Sequence, residues 1–176
     1  MKIKQIDALE VLDSRGKPTI RTTVYLEDGS RGAAIVPSGA SAGSFEAHEL
    51  RDGDNSRYFG FGTLKAVEQV KGLSNHLIGI ESDDQNKIDT LLIDIDGTEN
   101  KEKIGANSIL SISLACARAS TNSLNIPLYE YINILFNNLA SKENKFSMPR
   151  PMLNILNGGV HANNNIDIQE FMIIPS

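Results

Sequence analysis

Thr19 to Val36 reads TIRTTVYLEDGSRGAAIV, and this stretch decides the fold. Ile20, Thr22, Val24 and Leu26 recur at every second residue, the period that puts side chains on one face of a strand. Glu27-Asp28-Gly29-Ser30 follows. Asp-Gly between two strand candidates is a strong hairpin signal, because a tight hairpin turn needs positive φ at its centre. Gly32 to Val36 is then the returning strand. Upstream, Asp13-Ser14-Arg15-Gly16-Lys17-Pro18 is dense in turn formers and reads as a loop. It leads back to a third strand within Lys2 to Leu12. That strand has an imperfect pattern, since Ile3 and Ile6 stand three residues apart before the apolar run resumes at Val11 and Leu12. Together the three segments predict a three-stranded antiparallel meander.

Downstream the period changes to that of helices. Thr63 can cap a first helix that carries Leu64, Val67, Val70 and Leu73. In a second, Ile88, Leu91, Leu92 and Ile95 lie at i, i+3, i+4 and i+7. Asp83 and Asp84 complement the positive N-terminal end of that helix, and Gly97 stands where a helix terminates. A third helix, over residues 105–123, is rich in Ala, Ser and Gly and suits close packing, with Ile109, Ile112 and Cys116 on one face. Cys116 reads as a buried small hydrophobe and not as a catalytic thiol. Pro127 breaks the pattern before a short helix over residues 128–135. Residues 137–145, NNLASKENK, are polar and read as a linker between domains 1–140 and 146–176. A meander followed by helices is an α+β fold.

Composition bounds the function. The 176 residues are 40% hydrophobic and 22% charged, which fits an ordinary globular protein. A net charge of −5 argues against a nucleic-acid partner, which requires a basic face. One cysteine allows no internal disulfide and fits a reducing compartment. The N-terminus lacks the apolar core of a secretory signal, and no apolar run is long enough for a membrane span. A cytoplasmic location is the expectation.

Four loops bear on chemistry. Ser38-Gly-Ala-Ser-Ala-Gly43 is an unbroken run of small residues, readable as a plain linker or as a mobile lid offering hydroxyls and backbone groups to a ligand. Residues 46–54 carry mixed charge and read as a solvated surface turn. Phe59-Gly-Phe-Gly62 lacks the spacing and the Lys-Ser/Thr end of a phosphate loop. The fourth is Leu153 to Phe171, LNILNGGVHANNNIDIQEF. Two apolar runs flank a loop of Gly, Asn, His and Ala. Such a loop supplies no core, but it can present polar groups between two strands. Gln169 and Glu170 lie eight and nine positions after His161.

Five segments in register carry a family resemblance. They are Val11-Leu-Asp-Ser-Arg-Gly16, Val36-Pro-Ser-Gly-Ala-Ser41, Leu50-Arg-Asp-Gly-Asp54, Asp96-Gly-Thr-Glu-Asn100 with Gly105-Ala-Asn107, and Leu153 through Phe171. In this order and spacing the chain resembles enolase, the glycolytic phosphopyruvate hydratase, along essentially its whole length. The resemblance implies an N-terminal capping domain over residues 1–140 and the first strands of an incomplete αβ barrel over 146–176. It implies Mg²⁺-dependent removal of water from 2-phosphoglycerate to give phosphoenolpyruvate, in a protein that forms a homodimer when complete. Enolase-superfamily sites use a Lys or His base with one or two Mg²⁺ ions. By the resemblance, Ser41 is a ligand of the substrate-bridging Mg²⁺, His161 and Gln169 contact substrate, and Glu170 is a catalytic and substrate-contacting carboxylate beside the departing hydroxyl.

The remaining metal carboxylates, the base lysine, a second lysine and a second catalytic glutamate come later in the family's barrel. The expectation is therefore a fragment, inactive alone, with open sheet edges. The alternative is a truncated non-catalytic interaction protein. The chain also departs from the family pattern. Ala42 replaces a threonine in the lid and Lys17 an asparagine after Arg15-Gly16. Arg21 and Thr23 stand where acidic residues are common, and Leu9 where arginine is common. Arg21 puts the usual intersubunit ion pair in doubt.

Overall fold

A computed structural model describes residues 1–39, 43–140, 146–159 and 162–175. They divide into two compact units, Met1–Ala140 and Ser141–Ser176.

The first unit opens with the meander: β1 (Ile3–Leu12), β2 (Pro18–Leu26) and β3 (Arg31–Ile35), antiparallel in that order. Ile20, Thr22, Val24 and Leu26 all face inward and are buried, as their alternation predicts. The three-residue step in β1 has a physical cause. Ile3 pairs with Leu26 but Gln5 pairs with Tyr25, so Lys4 is an extra residue and the strand bulges there. The bulge resets the alternation and leaves Ile3, Ile6 and Ala8 all buried.

Four helices follow: α1 (Leu64–Leu77), α2 (Gln85–Asp96), α3 (Ala106–Leu124) and α4 (Leu128–Ala140). Helix α3 packs directly on β2 and β3. Its small residues make this possible, and so does Gly32. A Cβ at Gly32 would stand 2.1 Å from the Ala119 amide nitrogen and 2.5 Å from the Ala115 carbonyl oxygen. The hydroxyls drawn into this interface are satisfied. Thr22 Oγ1 and Ser111 Oγ are 2.7 Å apart, and Ser120 Oγ donates to Ser82 Oγ at 2.9 Å. Cys116 is fully buried here, and burial pushes its thiol up to about 12.

In α2, Ile88 and Leu92 are buried, Leu91 and Ile95 pack beside them, and the Asp84 carboxylate accepts from the Lys87 amide. Gly97 ends the helix in the left-handed conformation, with φ of 66°. Just before it, Asp96 is buried and accepts from the Thr98 and Ile104 amides. Burial pushes its carboxyl up, but these donors outweigh burial and hold it below the ordinary range.

Several expectations need correction. Leu64 is exposed, and the buried face of α1 is Ala66, Val67, Val70, Leu73 and Leu77. Steps of three residues fall short of a helical turn, so the stripe drifts and Leu64 ends opposite Leu73. Thr63 makes no capping bond. The Asp52 carboxylate caps α1 instead, accepting from the Leu64 and Lys65 amides at 3.1 and 2.8 Å, while Glu10 accepts from the Thr63 amide at 2.6 Å. Gly62 gives Asp52 room, since a Cβ there would lie 2.2 Å from its Oδ2. Arg57 bridges Glu10 and Asp52, and its guanidinium is the main cause that holds the Glu10 carboxyl below its ordinary range. Residues 46–54 are thus not a bland surface turn. Helix α4 also runs past residue 135 to Ala140. Leu128, Tyr131, Leu135 and Leu139 follow each other at three- or four-residue steps, so the helical stripe continues through Asn137 and Asn138.

The second unit contains one antiparallel pair, β4 (Leu153–Asn157) and β5 (Glu170–Ile173). Every residue of both strands is exposed.

Candidate active site

The run of small residues begins at Ser38, three residues beyond the end of β3 at Ile35. Ser41 itself lies outside the described residues, but the stem is closely held. Ser38 Oγ donates to Glu49 Oε1 at 2.7 Å and accepts from the Arg51 guanidinium. Arg51 also donates to Glu49 Oε1 at 2.7 Å, to the Pro18 carbonyl at 2.7 Å and to the Phe61 carbonyl at 2.6 Å. Arg15 donates to the Ser38 carbonyl. Its own loop is ordered by Asp13, whose Oδ1 accepts from the Arg15 and Lys17 amides at 2.8 and 2.9 Å. The Lys17 amide, then burial and the Arg15 amide, act on that carboxyl, and the net effect holds it below the ordinary range.

A cleft of about 650 Å³ borders this stem, lined by Lys17, Ser38, Gly39, Gly43, His48 and Arg51 among others. It is bounded by both ends of the small-residue run and by side chains of both signs, Lys17 and Arg51 with Glu46 and Glu49. Reading residues 46–54 as a surface turn missed Glu49 and Arg51. Apart from each other, their partners lie 10 to 33 residues away, beyond the reach of any local pattern.

Gln169 and Glu170 belong to the second unit. Glu170 is the first residue of β5 and pairs with Asn157, the last of β4. The Gly158 amide donates to the Gln169 carbonyl at 2.9 Å, and the Gly159 amide donates to the Ile166 carbonyl at 2.7 Å. Gly158 is buried, and a Cβ there would stand 2.5 Å from both the Ile166 and Ile168 carbonyl oxygens. Gly159 has φ of 62°. The Gly-Gly pair therefore serves both purposes, close approach at one residue and positive φ at the next. Asn164 closes the loop, donating from Nδ2 to the Asn157 carbonyl at 2.9 Å and accepting from the Ile166 amide at 3.0 Å. His161 lies outside the described residues. Gln169 and Glu170 are both exposed and thus open to a ligand.

Among the described residues, no three His, Cys, Asp or Glu side chains come together as a metal site. These residues alone do not form a cage for a divalent cation. Also among the described residues, no helix is long and apolar enough to cross a membrane.

Comparison with protein families gives two matches. Residues 3–132 match the model for the enolase N-terminal domain. Residues 145–176 match the model for the enolase C-terminal TIM barrel domain.

Proposed function

The chain belongs to the enolase family, and on that premise we propose that it serves the Mg²⁺-dependent dehydration of 2-phosphoglycerate to phosphoenolpyruvate, completed by further barrel residues. The reaction removes the proton from C2 and the hydroxyl from C3, and the products are phosphoenolpyruvate and water. Negative charge builds on the substrate carboxylate as the proton leaves, and Mg²⁺ supplies Lewis-acid stabilisation when bound. In this chain Glu170 is the carboxyl group at the departing hydroxyl, which must be protonated to leave as water. Gln169 and His161 contact the substrate. Ser41 offers hydroxyl and carbonyl oxygen, the donor type that Mg²⁺ prefers. A cytoplasmic homodimer is the setting the family suggests.

The observation that supports this reading best is the anchorage of Gln169 and Glu170 to the Gly158 turn. That turn leaves no room for side chains and fixes the backbone of two successive exposed residues, an amide and a carboxylate. A loop with only a connecting role has no physical need for either feature. The test is to combine the chain with the remaining barrel sequence of an enolase and to follow enol product by its ultraviolet absorbance. Hydratase activity is expected, and Glu170→Gln should lower kcat by about a hundredfold or more. Stable assembly without activity would overturn the reading. It would favour the second one, a non-catalytic partner protein, which draws on the exposed apolar residues Leu153, Ile155, Leu156 and Phe171.

A further inference from the structure

Arg51 joins a fixed scaffold to the start of the small-residue run, and its two terminal nitrogens have separate partners. Nη1 donates to two backbone carbonyls, that of Pro18 at 2.7 Å and that of Phe61 at 2.6 Å. Pro18 opens β2, and Phe61 lies just ahead of α1. Nη2 donates to Ser38 Oγ and to Glu49 Oε1. The Ser38 hydroxyl donates to the same Glu49 oxygen at 2.7 Å, which closes a triangle of bonds. The Ser38 carbonyl accepts from Arg15. The backbone on either side of Arg51 is held as well. The Leu50 amide donates to Asn107 Oδ1 at 3.0 Å, and the Asp52 amide donates to the Gly62 carbonyl at 2.8 Å.

The two sets of bonds serve different ends. Those of Nη1 tie the entry of β2 to the entry of α1 and belong to the fold. Those of Nη2 hold a residue beyond Val36, the last of its segment to pack on the core. A clamp on Ser38 therefore fixes what the chain does next.

We propose that Arg51 is a positioning residue acting through Ser38, a role that rests on the dehydration proposed above, in which Ser41 stands three residues further on. A guanidinium is planar and rigid, so anchoring Nη1 on the scaffold places Nη2 and with it Ser38. Order established before a ligand arrives is not charged to binding. Loss of the clamp therefore acts on KM and leaves kcat nearly unchanged.

The first measurement uses the chain alone. The Gly39 amide shares a peptide plane with the Ser38 carbonyl, so its nitrogen-15 order parameter reads the clamp. About 0.85 is expected for wild type and below about 0.6 for Arg51→Gln and for Ser38→Ala. A wild-type value below about 0.6 would overturn the proposal. The second measurement uses the chain completed by enolase barrel sequence. Each of the two changes should raise the KM for 2-phosphoglycerate by about tenfold with kcat within about twofold. Together they should do no more than either alone, because both break one link. Arg51→Lys should not restore KM, since one ammonium cannot hold both sets of partners. Effects of Arg51→Gln and Ser38→Ala that multiply would overturn the proposal, as would a KM restored by Arg51→Lys. A purely structural Arg51 would lower the unfolding midpoint and leave the KM of folded molecules as in wild type, and that result in an active background would overturn this inference alone. An inactive wild-type assembly would overturn the reading beneath it and this inference with it.

Discussion

The two units of this chain contain similar apolar material and use it differently. In Met1–Ala140, the apolar side chains of β1, β2, α1, α2 and α3 converge on one core, where Ile3, Ile20, Leu92 and Ile112 lose all contact with solvent. In the second unit, Leu153, Ile155, Leu156, Phe171 and Ile173 are as apolar as those core residues, yet all are exposed. A two-stranded hairpin has two faces and two open edges and cannot cover itself. Apolar content alone does not make a core. A second layer must face it, and in the first unit α3 is that layer.

The largest break in this contrast should come from Gly32. Replacing it by valine places side-chain atoms against the backbone of α3, and unfolding in urea followed by circular dichroism should show a loss of about 3 kcal/mol or more. A loss below about 1 kcal/mol would mean that α3 does not lie so close to β3. Ile112→Ala comes next. It empties part of the core beneath the sheet and should cost about 3 kcal/mol in the same measurement.

A subtler change is Glu10→Gln, read against pH. The Arg57 guanidinium and the Thr63 amide hold the Glu10 carboxyl below its ordinary range. A depressed carboxyl contributes stability that is fully present above its unfolded pKa, about 4.3, and is lost as pH falls through the lower folded value. Wild type should therefore be more stable than Glu10→Gln at neutral pH, and the gap should close as pH drops below about 4. A gap constant with pH would remove Glu10 from the electrostatic anchor of α1. The smallest effect should be that of Leu156→Ala in the exposed hairpin, within about 0.5 kcal/mol for the main unfolding transition. A larger shift would mean that the hairpin's apolar residues are covered in solution, and the contrast between the units would fail.

Much of this was legible in the sequence because the signals are local. The alternation of Ile20 through Leu26 depends on the strand period alone, and Asp28-Gly29 on the φ preferences of a turn. The second helix declared both its ends, at Asp84 and at Gly97. Glycine is the residue type that a close approach and a positive φ require, and Gly158 and Gly159 meet these two needs. Even the flawed step from Ile3 to Ile6 was a signal, the mark of a bulge at Lys4.

Other features were decided only by the tertiary structure, and for one physical reason: their partners are far apart along the chain. Nothing adjacent to Thr63 indicates that Asp52 and Glu10, and not its own hydroxyl, would take up the first amides of α1. Arg51 looks solvated until Pro18, Ser38 and Phe61 are brought around it. The sequence by itself determined the elements and the chemical types at the candidate site. Folding determined which of those groups meet, because hydrogen bonds and charge pairing act over a few ångströms of space whatever the separation along the chain.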